Sequence, residues 1–151
     1  MPTARQCYEL FGNVLTFRAL PSEGAPYLLA ECHTAPGAGA PVNSHAGDEE
    51  SFYVLSGRYA FDIDGQQREA GPGDHVSIPS GAPHAFHNIG PDMAVMLILN
   101  WPGTQHETFF SRLGRPVEPG TRPSAPAGPP PTQAVADMRR IGLSCGIDLA
   151  I

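Results

Sequence analysis

Between residues 13 and 100 the chain is a succession of short β-like runs cut apart by Gly, Pro, Asn and Asp, with no helical-period apolar pattern before residue 104. The runs 13–20 (NVLTFRAL), 26–34 (PYLLAECHT), 51–57 (SFYVLSG) and 58–64 (RYAFDID) are rich in β-branched and aromatic residues, which suit a pleated, half-buried surface. Asp64-Gly65 then supplies the dipeptide that a two-residue hairpin favours, because both central positions need positive φ. Gly71–Asp74 reads as a second turn, followed by HVSIP, PHAFHN and MAVMLILN. Strands this short and this closely spaced predict an all-β fold, an antiparallel sandwich or barrel.

Past residue 100 the character changes. Residues 106–114 (HETFFSRLG) predict a short helix stopped by Gly114 and Pro116. Of the 17 prolines, seven lie between Pro116 and Pro131, so that stretch is expected to be a stiff, extended connector. Thr132 is placed to cap a final helix over about 133–141, with Val135, Met138 and Ile141 on one face and Gly142 at its stop. That helix is too short to stand alone and needs the barrel or a second subunit to pack on. The expected organisation is a barrel with a short post-barrel helix over residues 1–115, a connector over 116–131, and a helix and tail over 132–151.

Charge narrows the partners. A formal net charge of −6 and the lack of any basic cluster argue against nucleic acid or an anionic membrane surface. All nine cationic residues are arginine, which excludes Schiff-base or general-base lysine chemistry. Cys7, Cys32 and Cys145 are an odd number without close spacing and read as buried, inert thiols. No apolar run is long enough to span a bilayer, and residues 1–17 lack a signal-peptide pattern. The expectation is a cytoplasmic protein.

Two segments carry the chemistry. Residues 37–57 (GAGAPVNSHAGDEESFYVLSG) set His45 five residues before Glu50, and residues 73–88 (GDHVSIPSGAPHAFHN) hold Pro79, Gly81, His84 and Asn88. On extended strands, 50, 52 and 54 share one face and 84, 86 and 88 another. Inside a small barrel, His45 and Glu50 could then meet His84. Two imidazoles and one carboxylate are a ligand set used for Fe(II) with open positions. Phe52, Val54, Phe86 and Asn88 are the expected pocket residues, since the interior of a small barrel serves as both core and cavity.

These segments resemble the two motifs of the cupin superfamily, G-x5-H-x-H-x4-E-x6-G and G-x5-P-x-G-x2-H-x3-N. Gly73, Pro79, Gly81, His84 and Asn88 match the second in full; Gly37, His45, Glu50 and Gly57 match the first, with Asn43 where its first histidine stands. The resemblance covers residues 13–100, and the Phe109-Phe110 segment with the final helix is similar to the tail of small, quercetinase-like members. It implies a single-domain double-stranded β-helix (jelly-roll) barrel, a homodimer, a small-molecule substrate and one divalent transition metal (Fe, Mn, Ni, Co or Zn). His45, Glu50 and His84 would be ligands. Asn43 would take the remaining position as a weak one, because an amide oxygen is a poorer donor than imidazole.

The resemblance implies first a dioxygenase-type oxidoreductase acting on a small aromatic or enolic substrate, with Glu50 as ligand or, detached, as catalytic base. Non-oxidative cupin chemistry (isomerase, cyclase, decarboxylase or lyase) and a non-catalytic ligand-binding module remain open, since fold does not choose among chemistries. The other histidines carry plainer readings. His33 and His106 lie outside the motifs and are expected to be structural or exposed. His87 has the wrong strand parity for the cavity, and His75 is ambiguous. Asp48 and Glu49 read as turn residues, either of them able to act as an outer-shell acid.

Overall fold

The hairpin dipeptide does what its chemistry demands. Asp64 and Gly65 sit at φ +54° and +80° and join strands β6 (Tyr59–Ile63) and β7 (Gln66–Ala70) in antiparallel register. A computed structural model describes residues 6–151 of the chain. Before β6 come β1 (Cys7–Leu10), β2 (Asn13–Ala19), β3 (Leu28–Thr34), β4 (Gly39–His45) and β5 (Glu49–Ser56). After β7 come β8 (His75–Ile78), β9 (His84–Asn88) and β10 (Ala94–Trp101). Helix α1 (Thr104–Leu113), β11 (Arg115–Pro116), helix α2 (Thr132–Ser144) and β12 (Ile147–Leu149) complete the chain.

The strands form two antiparallel sheets, ordered β11-β1-β2-β3-β10-β5-β8 and β12-β4-β9-β6-β7. From β3 to β10 the chain passes repeatedly between the sheets, the jelly-roll path that the resemblance implies. Burial alternates along β3, β5 and β10. Leu28, Ala30, Cys32 and Thr34 of β3 face inward, as do Glu50, Phe52 and Val54 of β5 and Ala94, Met96, Ile98 and Asn100 of β10. The centre is aromatic: the Phe52 ring lies 5.1 Å from Phe61 and 5.6 Å from Phe86, and Tyr59 packs on both Phe61 and Phe86. Such tilted and edge-on pairs add to simple burial.

The sequence reading departs from the structure at the C-terminus and at β4. Pro131, not Thr132, holds the cap position of α2, and the helix runs through Gly142 to Ser144. Gly142 is there for close approach: a Cβ on it would come within 2.7 Å of the Ile147 carbonyl oxygen. The turn that ends this segment uses Gly146 at φ +82°. Beyond it, β12 pairs with β4, setting Ile147 opposite His45 and Leu149 opposite Asn43. The tail therefore packs on its own barrel, beside the end of β4 that carries His45. The Pro-rich residues 117–131 carry neither helix nor strand. All three cysteines are buried, and burial pushes the Cys32 thiol up to about 12, in keeping with an inert group. No helix among the described residues is long and apolar enough to cross a membrane.

Candidate metal centre

His45 ends β4, Glu50 follows it at the start of β5 in the other sheet, and His84 opens β9, the neighbour of β4. The structure brings the three together: Glu50 Oε2 lies 2.9 Å from His45 Nε2 and 2.8 Å from His84 Nε2. A fourth group joins them. His106, on α1, is 3% exposed and directs its Nε2 to within 3.8 Å of Glu50 Oε1. The ring of His45 stands edge-to-face on both His84 and His106, with centroids 5.0 and 4.4 Å away.

Each ring is aimed by the nitrogen that faces away from the cluster. His45 Nδ1 donates to the Asp48 carbonyl at 2.9 Å, His84 Nδ1 to the Ala82 carbonyl at 2.8 Å, and His106 Nδ1 to Asp48 Oδ2 at 2.8 Å. A carbonyl or an ionised carboxylate only accepts, so each Nδ1 carries a proton, and Nε2 donates to Glu50 when the ring is protonated or offers a lone pair to a cation when it is neutral. With the rings neutral, a cation takes the place of those protons between the imidazoles and the carboxylate. Two donors about 2.1 Å from one ion stand about 3.0 Å apart at a right angle and about 4.2 Å apart when opposed. The separations of 2.8–3.8 Å from the imidazoles to Glu50 fall at or near that range; the ligand atoms of His45, Glu50 and His106 all lie within 4.8 Å of one another, a group that does not include His84, which meets it through Glu50 Oε2. The donors of His45, Glu50 and His106 fit a divalent transition metal, with His84 beside them.

Asp48 organises the helix side of this cluster. Its Oδ1 accepts from the Gly103 N–H at 3.0 Å, and its Oδ2 accepts from both the backbone N–H and the Nδ1 of His106. The N-terminus of α1 has no cap of its own, so a carboxylate from the β4–β5 loop satisfies its orphan donors and opposes its dipole. Glu49, the other acid considered for an outer shell, is exposed.

Electrostatics follow from the geometry. Burial works to raise Glu50, but the charge of His106 and the hydrogen bonds of His45 and His84 outweigh it and hold the carboxyl well below its ordinary value. Burial likewise opposes ionisation of Asp48 and is overcome by the bonds from His106 and Gly103, so Asp48 too is lowered. For His45, burial favours the neutral ring, yet the Glu50 hydrogen bond and charge together leave it above the usual imidazole value.

The expectation for His106 needs correcting. Asn43 lines the cavity, but its Nδ2 donates to the Pro41 and His84 carbonyls at 3.0 and 3.2 Å, pinning β4 to β9. Those bonds engage the amide nitrogen and not the oxygen that would face a metal, while His106 brings a third imidazole from elsewhere in the chain. His106 is thus neither exposed nor remote from the motifs in space. One sequence signal pointed to it: His106, Phe109 and Phe110 have the i, i+3, i+4 spacing of one helix face, and all three are buried.

Beside the cluster lies a narrow cavity of about 50 Å³. Phe52 and Phe86 line it, along with Phe109 and Phe110 from α1 and Ile147 and Leu149 from β12. Val54 and Asn88, expected there, are off its wall. Val54 is packed in the core, and Asn88 clamps a turn by donating to the Thr34 and Asp92 carbonyls while accepting from the Gly90 N–H. Of the other histidines, His75 and His87 are exposed, and His33 bonds Glu31 at 2.7 Å away from the cluster.

Comparison with known proteins agrees with this architecture. Residues 30–100 match the model of the cupin domain family. An uncharacterised protein of Methanocaldococcus jannaschii, MJ1618, is 32% identical over 85 residues, 56% of this chain and 68% of that protein. The dimethylsulfoniopropionate lyase DddQ of Ruegeria pomeroyi is 39% identical over 64 residues, 42% of this chain and 30% of the lyase. Quercetin 2,3-dioxygenase of Bacillus subtilis is 32% identical over 82 residues, 54% of this chain and 24% of the dioxygenase. The chain thus spans less than a third of either enzyme. Among solved structures, an RmlC-like cupin from Shewanella frigidimarina superposes with a TM-score of 0.60 at 15% identity, covering 71% of this chain and 92% of that one. The protein belongs to the cupin superfamily.

Proposed function

We propose that this cupin is a metal-dependent enzyme holding one divalent transition metal (Fe, Mn, Ni, Co or Zn) through His45, His84, His106 and Glu50, and acting on a small aromatic or enolic substrate in a dioxygenase-type reaction. The observation that carries the reading is the set of three imidazoles, each fixed at Nδ1 by an oxygen acceptor, whose Nε2 atoms converge on one buried carboxylate. Bound there, a metal supplies a Lewis acid for a substrate oxygen and lowers the pKa of the group it polarises.

The protein supplies the rest. Glu50 is ionised and has Oε2 committed to two imidazoles, so Oε1 is the oxygen available to take a substrate proton. Phe52, Phe86, Phe109 and Phe110 give the cavity an apolar wall that favours a flat, hydrophobic substrate and excludes bulk water. Asp48 holds His106 and, through its carbonyl, His45, so both rings keep their orientation through a turnover.

The test is oxygen uptake by metal-reconstituted protein supplied with flavonols, catechols and smaller enols. Uptake that depends on substrate and is lost in His84→Ala supports the reading; metal-loaded protein that consumes no oxygen with any of them contradicts it. A non-oxidative reading is favoured by one observation. A cavity of about 50 Å³ has room for little more than one or two waters, and so admits only a small substrate unless α1 or β12 moves. Substrate conversion under strict anaerobiosis would mark a lyase or isomerase instead. The curated relatives include both kinds of enzyme. A cytoplasmic homodimer is proposed with the enzyme; sedimentation gives the oligomeric state directly.

A further inference from the structure

The inward face of β10 runs Ala94, Met96, Ile98, Asn100, and only its last member is polar. Asn100 is 0% exposed, and neither its Oδ1 nor its Nδ2 has a hydrogen-bond partner among the described residues. A buried carboxamide with nothing to bond is rare and calls for a ligand or a second state of its surroundings. An apolar side chain of the same size would fill the space without an unmet donor or acceptor.

Strand register supplies the missing partner. Asn100 stands directly opposite Glu50 on β5 and opposite the apolar Leu28 on β3. Both Asn100 and Glu50 point into the barrel, where facing residues have Cβ atoms about 5 Å apart. Glu50 gives Oε2 to His45 and His84, while its Oε1 is 3.8 Å from His106 Nε2, beyond hydrogen-bond length. A carboxamide donor without a partner and a carboxylate oxygen held only by the 3.8 Å contact to His106 therefore belong to facing positions of adjacent strands.

We propose that Asn100 is a positioning residue for the metal-binding carboxylate: its Nδ2 donates to Glu50 Oε1, directly or through one buried water, when a divalent cation occupies the centre. A carboxylate that turns one oxygen to a metal needs a donor on its other lone pairs to stay in one orientation, and such outer partners tune affinity. The role rests on the reading of His45, Glu50, His84 and His106 as a metal site.

The experiment compares wild type with Asn100→Leu by Zn²⁺ titration against a chromophoric chelator, and melts both without metal. Zn²⁺ binding is expected to weaken between tenfold and a hundredfold in the variant. The metal-free variant is expected to melt no lower than wild type, because the orphan amide is gone. In ¹⁵N-labelled wild type, the Asn100 side-chain amide is expected to shift and to gain exchange protection on adding Zn²⁺. If Asn100→Leu fails to fold, that resonance decides. Wild type that takes up no Zn²⁺ overturns the metal reading and this inference with it. Wild type that binds Zn²⁺ while the variant binds it equally tightly, or while the amide stays unmoved, overturns the role of Asn100 alone.

Discussion

Three members of the cluster ride on strands and one rides on a helix, and the two groups are held differently. His45, Glu50 and His84 come from β4, β5 and β9, whose register is fixed by ladders on both sides and by an aromatic core beneath. His106 comes from α1, which sits over the cavity and whose first turn is fastened by the carboxylate of Asp48. The strand-borne groups are built into the barrel. The helix-borne group depends on docking, and a single loop residue sets it.

That contrast orders the expected effects of substitution. Removing a strand-borne member of the cluster, by His84→Ala or Glu50→Ala, is expected on the proposed reading to lower metal affinity by more than about a thousandfold, beyond the 10–100-fold of an outer partner. Elemental analysis of protein purified without chelators checks it, and full occupancy in either variant breaks the comparison at its strongest point. His106→Ala is expected to cost about a hundredfold or more in the same assay while leaving the barrel folded. An unchanged affinity would mean that α1 closes the cavity without contributing a ligand.

Asp48→Ala separates docking from ligation. Losing a helix cap costs about 1–2 kcal/mol, so the metal-free variant should melt several degrees lower. Its metal affinity should fall less than that of His106→Ala, because the imidazole is still present but no longer aimed. Equal losses in the two variants would show that orientation and ligation cannot be told apart at this position.

Acidity tests the whole cluster with a smaller effect. Glu50 and Asp48 are lowered in the folded state, so the stability they contribute is present above the ordinary carboxylate range and is lost as pH falls through their depressed values. His45 is raised, so its contribution is complete below about pH 6.5 and is lost as pH rises through its elevated value. Metal-free protein should therefore melt lower at pH 8 than at pH 6. Metal affinity should move the other way, since the rings coordinate only when neutral. Parallel trends would count against shared use of the same imidazoles. The smallest change is expected from Asn43→His: with His106 already present, metal affinity should move by less than about threefold.

The strands and the barrel were legible because their signals are local. β2, β3, β5 and β6 carry β-branched and aromatic runs, and Asp64-Gly65 specifies its turn through positive φ. β4 was not legible: residues 39–45 (GAPVNSH) have the composition of a loop, and they become a strand only through pairing with β9 and β12. The exposed edge strand β7 (QQREA) lacks an apolar alternation, and β12 is three residues that need a partner far back in the chain. In the site, the spacing of the two motifs singled out His45, Glu50 and His84. His106 was missed because its role is created by tertiary contact with Asp48, 58 residues earlier, and no spacing encodes that contact.

The most direct measurement is an anomalous-difference map from crystals of protein loaded with Co²⁺. One peak is expected, within about 2.3 Å of Nε2 on His45, His84 and His106 and of a Glu50 oxygen. A crystal without that peak, or a peak from which His106 stands apart with its ring turned away, would contradict a centre built from three strand-borne groups and one helix-borne imidazole.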